Sequence, residues 1–289
     1  MKERLETVRR LMNRPDRWDF SDAESLYAGV DLGTWKAIVV VVDETGRPRA
    51  VTMRRAEVVR SGMILDYFGA LRILREMVEE IRGSSPLPLE LGATSYPPRT
   101  SSANVDTTTY ILEGAGLEVL NVLDEPTAAN RVLGLRDGVI VDVGGGTTGI
   151  AVMENGRVIY SDDEATGGLH LSLVLAGHLG TSVEQADALK SDAPGNGDIL
   201  PIVRPVIEKM ASIVDTCLLE CGRRGPVWLV GGTCELSGFA GVFGRSMGVE
   251  VSLPPFSQGV TPLGIALSCL AENDEEEAPG EAPPLRIVS

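Results

Sequence analysis

Val141-Asp142-Val143-Gly144-Gly145-Gly146-Thr147-Thr148 is followed by an apolar run over 150–153 and a turn at Gly156-Arg157. The same pattern stands earlier in the chain: Val30-Asp31-Leu32-Gly33-Thr34, an apolar run over 38–42 and a turn at Gly46-Arg47. The two aspartates lie 142 − 31 = 111 residues apart and the turn glycines 156 − 46 = 110 apart. A strand that ends in a carboxylate and runs into glycine and threonine suits phosphate and a metal ion. Glycine lets backbone N–H groups approach phosphate oxygens, threonine adds a hydroxyl donor, and the carboxylate can hold a hydrated divalent cation. Two such hairpins predict an α/β chain of two lobes with duplicated topology and a nucleotide cleft between them.

The rest of the sequence is consistent with that plan. At 289 residues the chain exceeds the usual size of one core, which favours two lobes. Its formal charge of −15 and the lack of a basic stripe argue against nucleic acid as the main partner. No apolar run approaches the ~20 residues of a membrane span, and no leader is evident, so the sequence reads as cytoplasmic. Cys217 and Cys221 share one face of a predicted helix and read as buried thiols rather than metal ligands. His170 and His178 read as ordinary packed or half-exposed histidines.

Four segments follow from composition and periodicity. Residues 1–26 read as a separate basic piece, with Leu5, Val8, Leu11 and Met12 at helical spacing among arginines. That helix is expected to pack on the protein's own surface, with docking to a partner as the alternative. The first lobe is placed at 27–136 and the second at 137–270. Residues 271–289 carry Glu272, Asp274, Glu275, Glu276, Glu277 and Glu281 against one arginine, and are expected to be a disordered acidic tail. Within the first lobe, a helix over 67–81 is expected to bury Phe68, Leu71, Leu74, Met77 and Val78.

Around a polyphosphate, Gly33, Thr34, Gly144, Gly145, Gly146, Thr147 and Thr148 would meet phosphate, and Asp31 and Asp142 would hold Mg²⁺ between the lobes. Glu125 stands at a strand end before a helix, a position suited to orienting an attacking water. Gly231-Gly232-Thr233 is a second strand-to-loop break, where bare backbone can lie against a flat ring. Lys36 is expected to be a solvated hairpin lysine, with phosphate contact as the alternative.

Taken in order, these stretches resemble the motifs of the actin, Hsp70 and sugar-kinase superfamily of ATPases. Gly29 to Thr34 is similar to its first phosphate motif and Val141 to Thr148 to its second. Asp124-Glu125-Pro126-Thr127-Ala128-Ala129 is similar to the first connecting motif, Leu229 to Thr233 to the adenosine motif, and Thr261 to Ala266 to the second connecting segment. Within the superfamily, Arg60 to Tyr67 and Ala165-Thr166-Gly167-Gly168 with the 182–190 stretch resemble the EutJ family of ethanolamine-utilisation proteins. The resemblance implies the two-lobed actin-like fold with ribonuclease H-like duplicated lobes, and ATP or ADP with Mg²⁺ as cofactors. It also implies catalytic roles for Glu125, Asp142 and Asp31, and adds Gly167, Gly168, Glu184 and Lys190 to the nucleotide site. The partner it implies is a protein client such as an ethanolamine-degrading enzyme, served by a chaperone or reactivating factor that is cytoplasmic or microcompartment-associated.

Two departures imply slow hydrolysis or none. No lysine stands over 59–63, where Hsp70 has its catalytic one, and Cys234-Glu235 replaces the arginine that Hsp70 stacks on adenine. Only 289 − 270 = 19 residues follow Leu270, so no Hsp70-style peptide-binding domain is expected. Two other readings stand beside this one: an actin-like filament or assembly platform, and a small-molecule kinase using Asp66 or Asp106 as its base.

Overall fold

The computed structural model describes residues 1–270 apart from 57, 61, 62, 99, 192–198 and 224. The expected acidic tail, most of the 191–200 insertion and part of the 59–63 stretch lie outside the described residues.

The first lobe opens with α1 (Lys2–Leu11) and a 3-10 turn at Pro15–Arg17. Then come β1 (Leu26–Leu32), β2 (Lys36–Asp43), β3 (Pro48–Arg55) and the small hairpin β4 (Val59–Arg60) and β5 (Met63–Ile64). It is completed by α2 (Tyr67–Ser84), β6 (Leu91–Tyr96), α3 (Ser102–Gly114), β7 (Glu118–Asp124) and α4 (Glu125–Leu133). The second lobe contains β8 (Gly138–Val143), β9 (Thr148–Glu154), β10 (Arg157–Glu164), α5 (Gly168–Leu179), α6 (Val183–Ser191) and α7 (Leu200–Glu220). It ends with β11 (Val227–Val230), α8 (Phe239–Met247) and β12 (Val251–Ser252), with 3-10 turns at Gly232–Glu235 and Ser257–Gly259. The chain then crosses back as α9 (Val260–Ser268), which buries Val260, Leu263 and Ala266 in the core of the first lobe.

The duplication read from the sequence is present strand for strand. One sheet runs β3-β2-β1-β6-β7 and the other β10-β9-β8-β11-β12. In each, a three-stranded antiparallel meander continues into two parallel strands. β2 is buried from Ala37 to Asp43, as its unbroken valine run requires of a strand covered on both faces. Each lobe has its own apolar core, one built around β1 and β2 and the other around β8, α5, α7 and α8.

Of the two readings of the N-terminal helix, packing on the protein's own body is the one found, and so closely that the helix is no separate piece: Leu5, Val8 and Leu11 are buried in the core of the first lobe, and Met12 bridges Val51 of β3. Each of those side chains contributes on the order of 1.5–3 kcal/mol by leaving water, so α1 is part of the lobe and its apolar face is not open for docking. Phe68 is 79% exposed. It sits in the first turn of α2, about 120° around the helix from buried Leu74, so the stripe starts one turn later. The sequence reading also placed no elements at α8 and β12, although β12 closes the second sheet.

The two lobes meet through α4 and α9. A Cβ at Gly264 of α9 would lie 1.8 Å from the Ala128 carbonyl oxygen of α4. Only glycine permits that crossing, which brings the two connecting segments backbone to backbone.

Candidate functional site

Strand ends and helix starts from both lobes open on one cavity of about 810 Å³, within the range of small-molecule sites. Asp31, Gly33, Thr34, Trp35 and Lys36 line it from the β1–β2 hairpin, and Asp142, Gly144, Gly145, Gly146 and Thr147 from the β8–β9 hairpin. Glu125 enters from the start of α4, and Gly231, Gly232 and Thr233 from the end of β11.

Local chemistry explains each placement. Asp124 caps α4: its carboxylate accepts from the Thr127 backbone N–H at 3.0 Å and from the Thr127 hydroxyl at 2.7 Å. Pro126 fills the first turn. With Asp124 spent on the cap, Glu125 is the side chain that reaches the cleft. Asp142 accepts from the Thr261 hydroxyl at 2.9 Å. Gly231 has a φ of +90°, and a Cβ there would lie 2.4 Å from Asp142 Oδ1, so this glycine is required both by its backbone and by the neighbouring carboxylate.

The cleft concentrates negative charge. Burial raises the Asp31 carboxyl to about 7, with the Asp142 charge adding and Lys36 opposing. Burial, with Asp142, Asp31, Asp163 and Asp124 adding, pushes Glu125 well above the usual carboxylate range. Asp142 is raised by burial against the hydrogen bond from Thr261 and the charge of Lys36. Asp163, behind the β8–β9 hairpin, is raised to about 6, by burial first and then by Asp142 against a hydrogen bond with Thr147. Its Oδ1 is buried without a hydrogen-bond partner. Buried carboxyl groups offer hard-oxygen donors of the kind a divalent cation such as Mg²⁺ takes, and Lys36 and Lys190 line the same cavity.

Lys36 is not a solvated hairpin lysine. Its Nζ hydrogen-bonds Gln258 Oε1, and a Cβ at Gly232 would meet that Nζ at 2.6 Å. The hairpin tip folds over the cleft instead of into solvent, which carries Lys36 inward. Burial lowers its ammonium against the pull of Glu235, Asp31 and Asp142.

The remaining residues named from sequence divide in two. Lys190 lines the cavity, but its ammonium is held within the second lobe by the Gly168 carbonyl and Ser172 Oγ, each at 2.9 Å, and by Asp187 at 2.7 Å. Thr148, Gly167, Gly168 and Glu184 do not line the cavity. The Thr148 hydroxyl donates to the Thr166 carbonyl at 2.7 Å. Gly167 and Gly168 back the glycine loop, with Gly168 N–H donating to Gly144 O at 2.9 Å. Glu184 is exposed in the first turn of α6. Neither base considered for a kinase reaches the cleft: Asp66 caps α2 by accepting from Gly69 N–H at 2.9 Å, and Asp106 is exposed on α3.

Trp35, Asp187, Gln258, Arg9 and Arg55 also line the cavity and were not singled out from sequence, whereas Glu235 and Thr261 stood in quoted stretches without a role of their own. Arg9 comes from α1 and Arg55 from the end of β3. Among the described residues, a trio of acidic and thiol groups close enough to share one ion is Asp162, Glu164 and Cys217; the cleft carboxylates form no such trio, so an ion there would be held by one or two of them and by water or phosphate oxygens. Strand alternation puts Asp162 and Glu164 on the face of β10 opposite Asp163. Cys217 is raised by burial and by those two carboxylates, which favours the thiol. His170 Nδ1 accepts from Gly167 N–H at 3.2 Å. No described helix is long and apolar enough to cross a membrane.

The chain is 43% identical over 270 residues to the ethanolamine utilization protein EutJ of Escherichia coli strain K12, covering 92% of each. It belongs to the EutJ family. The crystal structure of the EutJ protein of Carboxydothermus hydrogenoformans superposes with a TM-score of 0.86 at 42% identity, over 92% of this chain and 98% of that one. MreB5 of Spiroplasma citri, crystallised bound to ADP, gives a TM-score of 0.66 at 15% identity over 83% and 95% of the two chains. That second likeness establishes the actin-like two-lobed fold. No model of a known family matches the chain. Membership of the EutJ family makes this an ethanolamine-utilisation protein built on the actin- and Hsp70-like ATPase fold.

Proposed function

We propose that this EutJ-family chain binds ATP or ADP with Mg²⁺ between its lobes and hydrolyses ATP slowly or not at all. In this reading it serves ethanolamine breakdown, at its bacterial microcompartment, as an Hsp70-like chaperone or reactivating factor for a protein client such as an ethanolamine-degrading enzyme. One observation carries the nucleotide half: each of two equivalent hairpins presents a carboxylate, at least one glycine and a threonine to the same cavity of about 810 Å³. The ADP-bound state of MreB5, which shares the fold, supports it.

Asp31 and Asp142 would hold Mg²⁺, which would neutralise phosphate charge and draw the two walls together. Thr34, Thr147 and the Gly144–Gly146 backbone would bind phosphate oxygens, and Lys36 would supply the positive charge that Hsp70 takes from elsewhere. Burial and its acidic neighbours push the Glu125 carboxyl well above its usual range, which disfavours the carboxylate form that a general base needs while leaving a group able to hydrogen-bond a water. That supports slow turnover. Client work is inferred from the family's association with ethanolamine utilisation and from the capacity of a two-lobed cleft to open and close.

Titration calorimetry with Mg-ATP and Mg-ADP tests the nucleotide half. Micromolar binding by wild type that is lost in Asp142→Asn supports it, and equal heats in the two proteins overturn it. Recovery of inactivated ethanolamine ammonia-lyase, with and without this protein and ATP, tests the client half.

A further inference from the structure

Trp35 stands at the tip of the first hairpin, and its indole Nε1 donates to Asp187 Oδ2 at 2.6 Å. Asp187 belongs to α6 in the second lobe, so this bond spans the cleft. Both partners line the cavity. The hairpin tips also touch: a Cβ at Gly145 would lie 2.7 Å from Trp35 Cβ, and one at Gly146 would lie 2.8 Å from Thr34 Cγ2. The tips of the two phosphate-type hairpins therefore stand against each other across the mouth of the cavity.

Each partner is also held within its own lobe. Arg55 of β3 stacks its guanidinium over the Trp35 ring, 4.5 Å from the centroid. Asp187 accepts from Ser172 Oγ at 2.8 Å and pairs with Lys190 at 2.7 Å. Separating the lobes would cost the indole bond but would leave Asp187 with two partners and the Trp35 ring with its cation. No buried charge is stranded, which is the condition that makes breaking an ion pair expensive. The contact has the properties of something that opens and recloses.

We propose that the Trp35–Asp187 hydrogen bond is a latch between the lobes, and that a polyphosphate ligand must break it to pass between the hairpin tips. The proposal rests on the nucleotide reading for the identity of the ligand, but the latch itself is a property of the chain alone. A hydrogen bond to a charged group shifts an opening equilibrium by roughly tenfold to a hundredfold. A protein client that pulled either Trp35 or α6 aside would hasten exchange of whatever the cleft holds.

The test is amide hydrogen exchange without nucleotide on wild type, Trp35→Phe, Asp187→Asn and Ser172→Ala, with thermal melts to confirm folding. Trp35→Phe keeps the ring against Arg55 and removes only the N–H. It is expected to speed exchange at both hairpin tips about tenfold or more. Asp187→Asn, which keeps an acceptor but loses its charge, is expected to do the same to a smaller degree. Ser172→Ala removes a donor to the same carboxylate from within the second lobe, so its effect should stay in α5 and α6. Unchanged exchange at the tips in Trp35→Phe overturns the latch, as does an equal effect in Ser172→Ala. Because this measurement uses no nucleotide, it stands even if calorimetry finds no Mg-ATP binding. That result would remove the ligand's identity and leave the latch intact.

Discussion

Gly231 lies so close to Asp142 that a Cβ on the glycine would come within 2.4 Å of the carboxylate oxygen. The break after β11 and the carboxylate of β8 are therefore a single structural unit, and the conformation of one sets the position of the other. Gly231→Ala should strain a backbone at φ +90° and displace Asp142. We expect a stability loss of about 1–3 kcal/mol and at least a tenfold loss of Mg-ATP affinity, read by thermal melts and calorimetry.

Burial raises Asp31 to about 7 and Asp163 to about 6, whereas an unfolded aspartate titrates near ~4. Between about pH 4 and pH 7 the folded chain thus holds more protons than the unfolded one, and these groups lower stability as pH rises. Asp31→Asn cannot ionise and escapes its share. Without nucleotide or Mg²⁺ it should match wild type near pH 4 and exceed it by roughly 2–4 kcal/mol at pH 8. Unfolding in urea across that range checks the sign, and added Mg²⁺ should narrow the difference by stabilising the charged wild-type site.

Lys36 lies where its charge faces Asp31, Asp142 and Glu235. Lys36→Met keeps the stem and removes the ammonium. Affinity for Mg-ATP should fall about tenfold or more, in line with about 1.5–3 kcal/mol for a hydrogen bond to a charged group, while adenosine should bind almost as before. A parallel loss for both ligands would place the lysine away from phosphate.

The N-terminal helix offers a stability test independent of any ligand. Leu5 has no solvent exposure in the core of the first lobe, so Leu5→Ala should cost about 2–5 kcal/mol. A detachable docking helix would lose almost nothing. Urea denaturation distinguishes the two.

The sequence made the duplicated meanders legible because a strand, a carboxylate and glycines recur at nearly constant spacing, and that repeat fixes both sheets. Asp31 and Asp142 were legible for the same reason, each standing near the end of a repeated strand, and Glu125 because it opens a helix directly after a strand. What escaped detection depends on contacts far apart in the chain. Lys36 looks solvated until the second lobe is placed above its hairpin. Asp187 and Trp35 are unremarkable in sequence, being 152 positions apart, and only the closed cleft joins them. Phe68 was counted into an apolar stripe from which helical geometry sets it about 120° away, on a side of α2 that faces outward. β12 has two residues, too few for alternation to register.

The crossing of α4 and α9 limits how the molecule can move. With Gly264 seated on the Ala128 carbonyl, no side chain separates the two connecting segments, and their crossing is a natural pivot for any rotation of one lobe against the other. A rotation of a few degrees there would barely disturb the base of the protein, yet it would swing the far rims through a much larger arc. A pivot placed there would give a small ligand at the mouth leverage over the outer surfaces of both halves.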